Sequence, residues 1–147
     1  MPYQSKLAAV LFQRKRNEED SSRAFLTAKN VLASEQEILR LLDNKLQTTL
    51  DDLAEKQSAG STSAEMALYF RFIAMFRDRV AAQTKAVVNQ EKVCEAKRAL
   101  LEISVKERKA VEIIEEKRQK EYLKGVMKKE QAVLDEIGGQ LMLRHHV

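Results

Sequence analysis

The stretch "KQSAGSTSAEMALYFRF", from Lys56 to Phe72, is where the sequence changes character. Long charged and aliphatic runs lie on both sides of it, whereas the stretch itself holds Gly60, several serine and threonine residues and then aromatic residues. A glycine can take the left-handed conformation that ends a helix. The spacing of Thr62 and Glu65 is typical of a capping box, the motif that begins a helix. Local chemistry therefore predicts a turn between two helices.

The composition is typical of long helices. The 147 residues include one proline, four glycines and no tryptophan, and 33 % of them are charged. This pattern indicates long helices or a coiled coil, and the length allows one domain. The net charge is +4, with the basic excess in residues 61–147. Acidic residues are interleaved with the basic ones, which favours a solvated helix face over a nucleic-acid surface.

The sequence also predicts where the protein resides. Cys94 is the single cysteine, so an intrachain disulfide is excluded and a reducing compartment fits. No apolar run approaches the ~18 residues of a membrane span. The N-terminus has neither a charged n-region nor a small-residue cleavage site, so a signal peptide is not predicted. We therefore expect a soluble, cytoplasmic protein.

Large residues recur at intervals of seven on both sides of the turn. The row before it is Phe25, Leu32, Leu39, Leu46 and Leu53. The row after it is Met66, Ile73, Val80, Val87, Cys94 and Leu101. Spacing of seven is typical of a coiled-coil seam. Facing residues of an antiparallel hairpin have position numbers with a constant sum, and five pairs from these rows, from Phe25 with Cys94 to Leu53 with Met66, sum to 119. The midpoint falls between Ala59 and Gly60, on the turn that local chemistry predicts.

The predicted fold is all-α: two long helices in an antiparallel coiled-coil hairpin, with the second helix overhanging the first. One domain covers residues 1–147, with helix 1 over about 4–57, the turn over about 58–62, helix 2 over about 63–137 and a tail over 138–147. Ser61 and Ser63 are alternative caps for helix 2, and Gly138-Gly139 is expected to end it. From about Lys117 helix 2 has no predicted partner within the chain. Such a segment is marginal alone, so it either frays or binds a partner protein.

The sequence holds few groups that suggest catalysis. The two histidines, His145 and His146, are adjacent and have no cysteine or carboxylate at ligand spacing. Cys94 lies in the predicted seam, where a small core residue is expected. No glycine-rich phosphate loop and no nucleophile with a positioned base is present. We therefore expect no metal site, no cofactor and no enzymatic activity.

Four of the eight aromatic residues lie between Tyr69 and Phe76. At ~100° per residue, Phe70 flanks the predicted seam. A second stripe lies to one side of it and consists of Tyr69, Phe72, Phe76, Arg79 and Gln83. Two helices are not expected to bury both the seam face with Phe70 and this second stripe. The second stripe is therefore either a widened apolar rim near the hairpin turn or an exposed docking patch.

Three segments, in order, resemble the FliJ family of the bacterial flagellar protein-export machinery. The first is Tyr3-x3-Leu7-x2-Val10-Leu11-x2-Arg14, followed by Glu18-Glu19. The second is Tyr69-x2-Phe72-Ile73-x2-Phe76, and the third comprises "KERKAVEIIEEKRQKEY" and "KKEQAVLDEI". The resemblance covers nearly the whole chain. Phe76 stands where the family commonly has leucine, and Gly125 and the Gly138-Gly139 tail also depart from the pattern.

The resemblance implies a two-helix stalk similar to that of rotary ATPases. It would insert in the hexameric export ATPase ring, promote its assembly and activity, bind the linker of the membrane export-gate protein FlhA and help recycle export chaperones. It would be cytoplasmic and peripherally associated with the inner membrane. The implied gate-docking residues are Tyr69, Phe72, Phe76, Arg79 and Gln83. The implied contacts with the ATPase ring are Leu7, Leu11, Arg14, Arg118 and Tyr122.

Two alternatives remain open from the sequence. One is the equivalent stalk of a virulence-type secretion system, the YscO group, which would use a different gate protein. The other is a generic structural coiled coil that self-associates or binds nucleic acid, although no nucleic-acid partner is expected from the charge pattern.

Overall fold

The computed structural model describes residues 2–145 and contains two α-helices. Helix α1 runs from Ala8 to Ala59 and helix α2 from Ser63 to His145, and no strand occurs in residues 2–145. The two helices pack against each other, which confirms the predicted all-α, two-helix fold. Few helix-breaking residues interrupt either helix, since the one proline lies before α1.

The chain divides into two compact units. The hairpin unit comprises Glu19–Glu102, and the terminal unit comprises residues 1–18 together with 103–147. The hairpin unit contains the turn between α1 and α2. In the terminal unit the start of the chain contacts a later segment of α2 through Arg14 with Glu107 and Tyr3 with Tyr122. A single domain over residues 1–147 stays a prediction.

The turn between the helices is built from the three residues after Ala59. Gly60 has a φ of +88°, the left-handed conformation that L side chains rarely adopt. The Oγ1 atom of Thr62 accepts the backbone N–H of Glu65 at 3.2 Å, and its carbonyl accepts the N–H of Met66 at 3.1 Å. Thr62 therefore satisfies two of the N–H groups that a helix start leaves without partners.

The hairpin unit has four interface rows. The seam predicted from the heptads lies at buried or half-buried positions throughout. A second row lies beside the seam on each helix. On α1 it comprises Ala28, Glu35, Leu42 and Thr49. On α2 it comprises Tyr69, Phe76, Gln83, Gln90 and Lys97. Gln83 Nε2 donates to the Glu35 carbonyl at 2.9 Å, and Gln90 Nε2 donates to that of Ala28 at 3.1 Å. Both pairs have position numbers that sum to 118, one less than the seam pairs.

Both outer helix ends differ from the prediction. Helix α1 begins at Ala8 instead of about residue 4, because Ser5 Oγ accepts the N–H of Leu7 and the chain turns before the first helical residue. Helix α2 continues to His145, so the prediction that Gly138-Gly139 ends it is wrong. Gly60 alone among the glycines has a positive φ. Gly138 and Gly139 therefore do not take the left-handed conformation that ends a helix. A glycine in the right-handed helical conformation lowers helix stability by ~1 kcal/mol relative to alanine without ending the helix.

Candidate functional site

The candidate docking residues from the sequence analysis lie at exposed or half-buried positions. No group of three or more histidine, cysteine and acidic residues within 2–145 is arranged to hold a metal ion. No helix in this part of the chain is long and apolar enough to cross a membrane. His145 is exposed at the end of α2, whereas His146 lies outside the described residues. Cys94 is a free, buried thiol in the hairpin unit.

The aromatic stripe near the turn divides into a covered part and an exposed part. Tyr69, Phe76 and Gln83 are half-buried, because they belong to the second interface row of α2. Phe72 and Arg79 are exposed. The stripe is therefore neither fully buried nor fully exposed, and its role as a rim or as a docking patch stays a prediction. A coiled-coil helix buries two rows three or four residues apart, and the second row of α2 contains the three half-buried members of the stripe.

Phe70 was expected beside the seam, but the structure places it on the surface. Its side chain is 55 % exposed. It follows Tyr69 on the side of α2 that carries Arg77 and Thr84, both of which are exposed. Steps of seven from Phe70 reach Arg77 and Thr84, so Phe70 belongs to neither interface row. The structure therefore separates Phe70 from Phe72, and only Phe72 lies next to an apolar hollow.

That hollow lies near the turn of the hairpin unit. It has a volume of about 280 Å³ and is lined by Lys56, Glu65, Leu68, Tyr69 and Phe72. Leu68 and Phe72 are exposed at 53 % and 43 %, so their apolar surfaces are open to a partner. Exposed apolar hollows with a few charges at the rim are typical of docking sites. The sequence analysis missed Leu68, although its position just before Tyr69 matches that of Phe72 just before Ile73.

Ion pairs join the start of the chain to α2 in the terminal unit. Arg14 Nη1 lies 2.7 Å from Glu107 Oε2. Arg108 binds Glu18 across the helices and donates to Glu112 Oε2 on its own helix at 2.9 Å. The hydrogen bond to Glu18, followed by that to Glu112, raises the pKa of Arg108. Arg108 and Glu18 are about three-quarters buried, more than any other ion pair described.

Tyr3 marks the place where the first residues of the chain meet α2. Its ring centroid lies 5.3 Å from that of Tyr122, at an interplanar angle of 49°. Partial burial, then a hydrogen bond with Glu115 and the charge of Glu115, raise the pKa of Tyr3, whereas the Arg118 charge lowers it. The expectation that α2 loses its partner from about Lys117 is therefore corrected, since Tyr3 still contacts residue 122.

All five residues implied to meet the ATPase ring belong to the terminal unit. Leu7, Leu11, Arg14 and Tyr122 are half-buried, and Arg118 is exposed. Beyond Tyr122 nearly every described residue is exposed, including large apolar ones. These are Leu123, Met127, Val133, Leu134, Ile137, Leu141, Met142 and Leu143. Val133 and Leu134 line a further hollow of about 440 Å³ with Lys129 and Glu130. The end of α2 is therefore a second apolar surface.

These features define a class of protein: a two-helix, antiparallel coiled coil with exposed apolar surfaces. The chain belongs to the FliJ family, because the profile of that family, described as "Flagellar FliJ protein", matches residues 3–146. The resemblance drawn from the sequence is thereby confirmed. Members of this family are accessory components of type III protein export.

Other comparisons bear on the fold. A solved chain described as "a putative YscO homolog CT670 from Chlamydia trachomatis" is similar, with a TM-score of 0.66 and 22 % sequence identity. The similarity covers 98 % of each chain. At this identity the likeness concerns the fold alone. No curated protein matches the sequence.

Proposed function

We propose that this chain is the soluble stalk of a flagellar type III export apparatus. It inserts in the hexameric export ATPase ring, promotes ring assembly and ATP hydrolysis, links the ring to the membrane export gate and helps recycle export chaperones. The match of the family over residues 3–146 carries this proposal. The stalk has no catalytic activity of its own and acts through its surfaces. It is cytoplasmic and associates with the inner membrane only through the gate.

The terminal unit supplies the surface for the ring. Arg118 is exposed, and Leu123 and Met127 follow it on α2 as exposed apolar residues. Several lysines accompany them, namely Lys117, Lys120, Lys124, Lys128 and Lys129. Apolar residues surrounded by basic ones fit a partner whose surface is apolar with acidic borders, because complementary charge speeds association and sets the orientation of docking.

The hairpin unit supplies the surface for the gate. Phe72 and Leu68 present apolar area at the hollow near the turn, and Arg79 is exposed two turns further along α2. Tyr69, Phe76 and Gln83 hold this surface in place from the interface beneath it. A segment of the gate protein that inserts an apolar side chain beside Phe72 would gain most of its affinity there, since a few central residues dominate docking energies.

The deciding experiment is an ATPase assay of the purified export ATPase with and without this chain. Stimulated hydrolysis and co-elution with the hexamer are the expected results. A chain that neither binds nor stimulates its cognate ATPase refutes the proposal.

Two exposed substitutions separate the two surfaces and serve as controls for each other. Phe72→Ala should weaken binding of the gate protein at least tenfold and leave ATPase stimulation unchanged, since a docking anchor is worth about 2 kcal/mol. Arg118→Glu should do the reverse. Circular dichroism should show unchanged helicity in both. If Phe72→Ala unfolds the hairpin unit, the residue belongs to the core and the docking proposal for it is wrong.

The likeness to the solved YscO-type chain supports a second candidate, the equivalent stalk of a virulence secretion system. The two functions differ in the gate protein. Binding assays with the cytoplasmic parts of a flagellar gate and of a virulence gate distinguish them, since only the cognate one should bind in a manner that depends on Phe72. A homo-oligomeric mass together with a salt-sensitive DNA mobility shift would instead favour a generic coiled coil.

A further inference from the structure

The two units differ in how their helices are held together. The five buried residues, Ala28, Leu53, Ile73, Val87 and Cys94, all lie in the hairpin unit. Within residues 2–18 and 103–145 none is buried. Apolar burial is the main stabilising term in packed proteins, at about 25 cal/mol per Å². The terminal unit has less of it and depends more on polar contacts.

The two ion pairs described between residues 2–18 and α2 differ in how exposed they are. Arg14 and Glu107 are 39 % and 45 % exposed, and exposed ion pairs contribute about 0.2–1 kcal/mol each. Arg108 is the most covered cation among the ion pairs described, and it has a second carboxylate, Glu112, on its own helix at 2.9 Å. Loss of Glu18 therefore leaves the Arg108 charge paired. Opening then avoids the large cost of stranding a covered charge.

We propose that residues 2–18 form a detachable clasp that opens and closes on α2 while the hairpin unit stays folded. In the closed state the clasp covers the α2 row that includes Arg108, Val111 and Glu115. Opening exposes this row, and the helix face available to a partner then extends from the apolar residues beyond Tyr122 back towards residue 108. The clasp thus controls how much of α2 can be contacted. This inference concerns the chain alone and holds whether or not the ATPase ring is its partner.

The hairpin unit lacks the features that allow the clasp to open. Cys94 and Val87 are less than 10 % exposed beside α1, so opening there would expose apolar surface with no compensating contact. Segments that open locally in proteins have few buried apolar contacts and many accessible hydrogen bonds. Residues 2–18 have both features, and their ion pairs make the opening sensitive to ionic strength.

The test is hydrogen exchange, measured by mass spectrometry on the full chain at 0.1 M and 1 M NaCl. The Debye length falls from about 10 Å to about 3 Å across this range, which weakens the ion pairs of the clasp. Amides of residues 8–18 should exchange about fivefold faster at 1 M, whereas amides of residues 25–53 should keep their protection. Equal protection of both segments at both salt concentrations would overturn the proposal, and so would parallel loss of protection in both.

Arg108→Gln and Arg98→Gln form a matched pair for the same measurement. Both arginines lie on α2 and bind two carboxylates, but the partners of Arg98, Glu95 and Glu102, are on α2 itself. Arg108→Gln should speed exchange in residues 8–18 about fivefold at 0.1 M NaCl and leave the salt effect that Arg14 and Glu107 supply. Arg98→Gln should leave that segment unchanged. Similar exchange in the two variants would show that the cross-helix pair does not hold the clasp.

A charge exchange adds a rescue. The double variant Glu18→Arg with Arg108→Glu restores the cross-helix pair with opposite polarity, and the new arginine can also meet Glu112. Protection of residues 8–18 should return to within about twofold of the original chain. Failure of the rescue, with helicity retained, would show that the charge pair between positions 18 and 108 does not hold the clasp closed.

Discussion

Substitution of Gly60 by alanine tests whether backbone conformation, instead of side-chain packing, fixes the turn. Gly60 has a φ of +88°, and a Cβ atom built there meets nothing within 4 Å. Gly125 provides the matched control. A Cβ atom there also meets nothing within 4 Å, but Gly125 lies in α2 and its φ is not positive. The two glycines differ mainly in backbone conformation.

The expected effects have opposite signs. An alanine in the left-handed region costs about 1–2 kcal/mol, and the loss of glycine entropy in the unfolded chain returns about 0.4–1 kcal/mol. Gly60→Ala should therefore lower the free energy of unfolding of the hairpin unit by about 1 kcal/mol. Gly125→Ala should stabilise the surrounding helix by ~1 kcal/mol, because alanine has the higher helix propensity.

Urea unfolding followed by circular dichroism measures the first effect, and amide exchange of residues 120–130 measures the second. The exchange of these amides should slow about fivefold, since 1 kcal/mol corresponds to that factor. A Gly60→Ala chain as stable as the original would refute the reasoning, because it would mean that the turn adopts another conformation at no cost. Slower exchange at residues 120–130 in both variants would also contradict it.

Three further predictions test the cap, the core and Tyr3. Thr62→Ala should destabilise the hairpin unit by about 1 kcal/mol in urea unfolding, because the N–H of Glu65 loses its acceptor. Leu53→Ala should lower the free energy of unfolding by about 2–3 kcal/mol, since Leu53 is buried. Leu41→Ala, at a residue that is 51 % exposed, should lower it by under about 1 kcal/mol. Equal losses would place the core elsewhere. Spectrophotometric titration should show one tyrosine ionising above its usual pKa of 10.0, and Tyr3→Phe should remove it. Because the folded state holds the neutral phenol, the contribution of Tyr3 is present below pH 10 and is lost as the pH rises through its raised pKa.

The surfaces were less predictable than the fold. From the sequence, Tyr69, Phe72, Phe76, Arg79 and Gln83 form one continuous stripe. The structure separates them, because Tyr69, Phe76 and Gln83 lie in the second interface row whereas Phe72 and Arg79 lie outside it. That row also contains polar side chains. Gln83 and its partner Glu35 lie in that row, as does Gln90. A search for large apolar residues at intervals of seven passes over a row that is held by amide-to-carbonyl hydrogen bonds.

The sequence by itself determined the two helices, their antiparallel pairing and the family. Heptad spacing, one left-handed glycine and a threonine cap are local or periodic features, so they can be read without coordinates. Only the tertiary structure decided which side chains remain exposed and which ion pairs cross between helices. Arg98 and Arg108 illustrate the reason. Both have carboxylates at helical spacing, and only packing brings Glu18, ninety positions away, to Arg108. Contacts at such separations depend on how the helices meet, which local sequence does not specify.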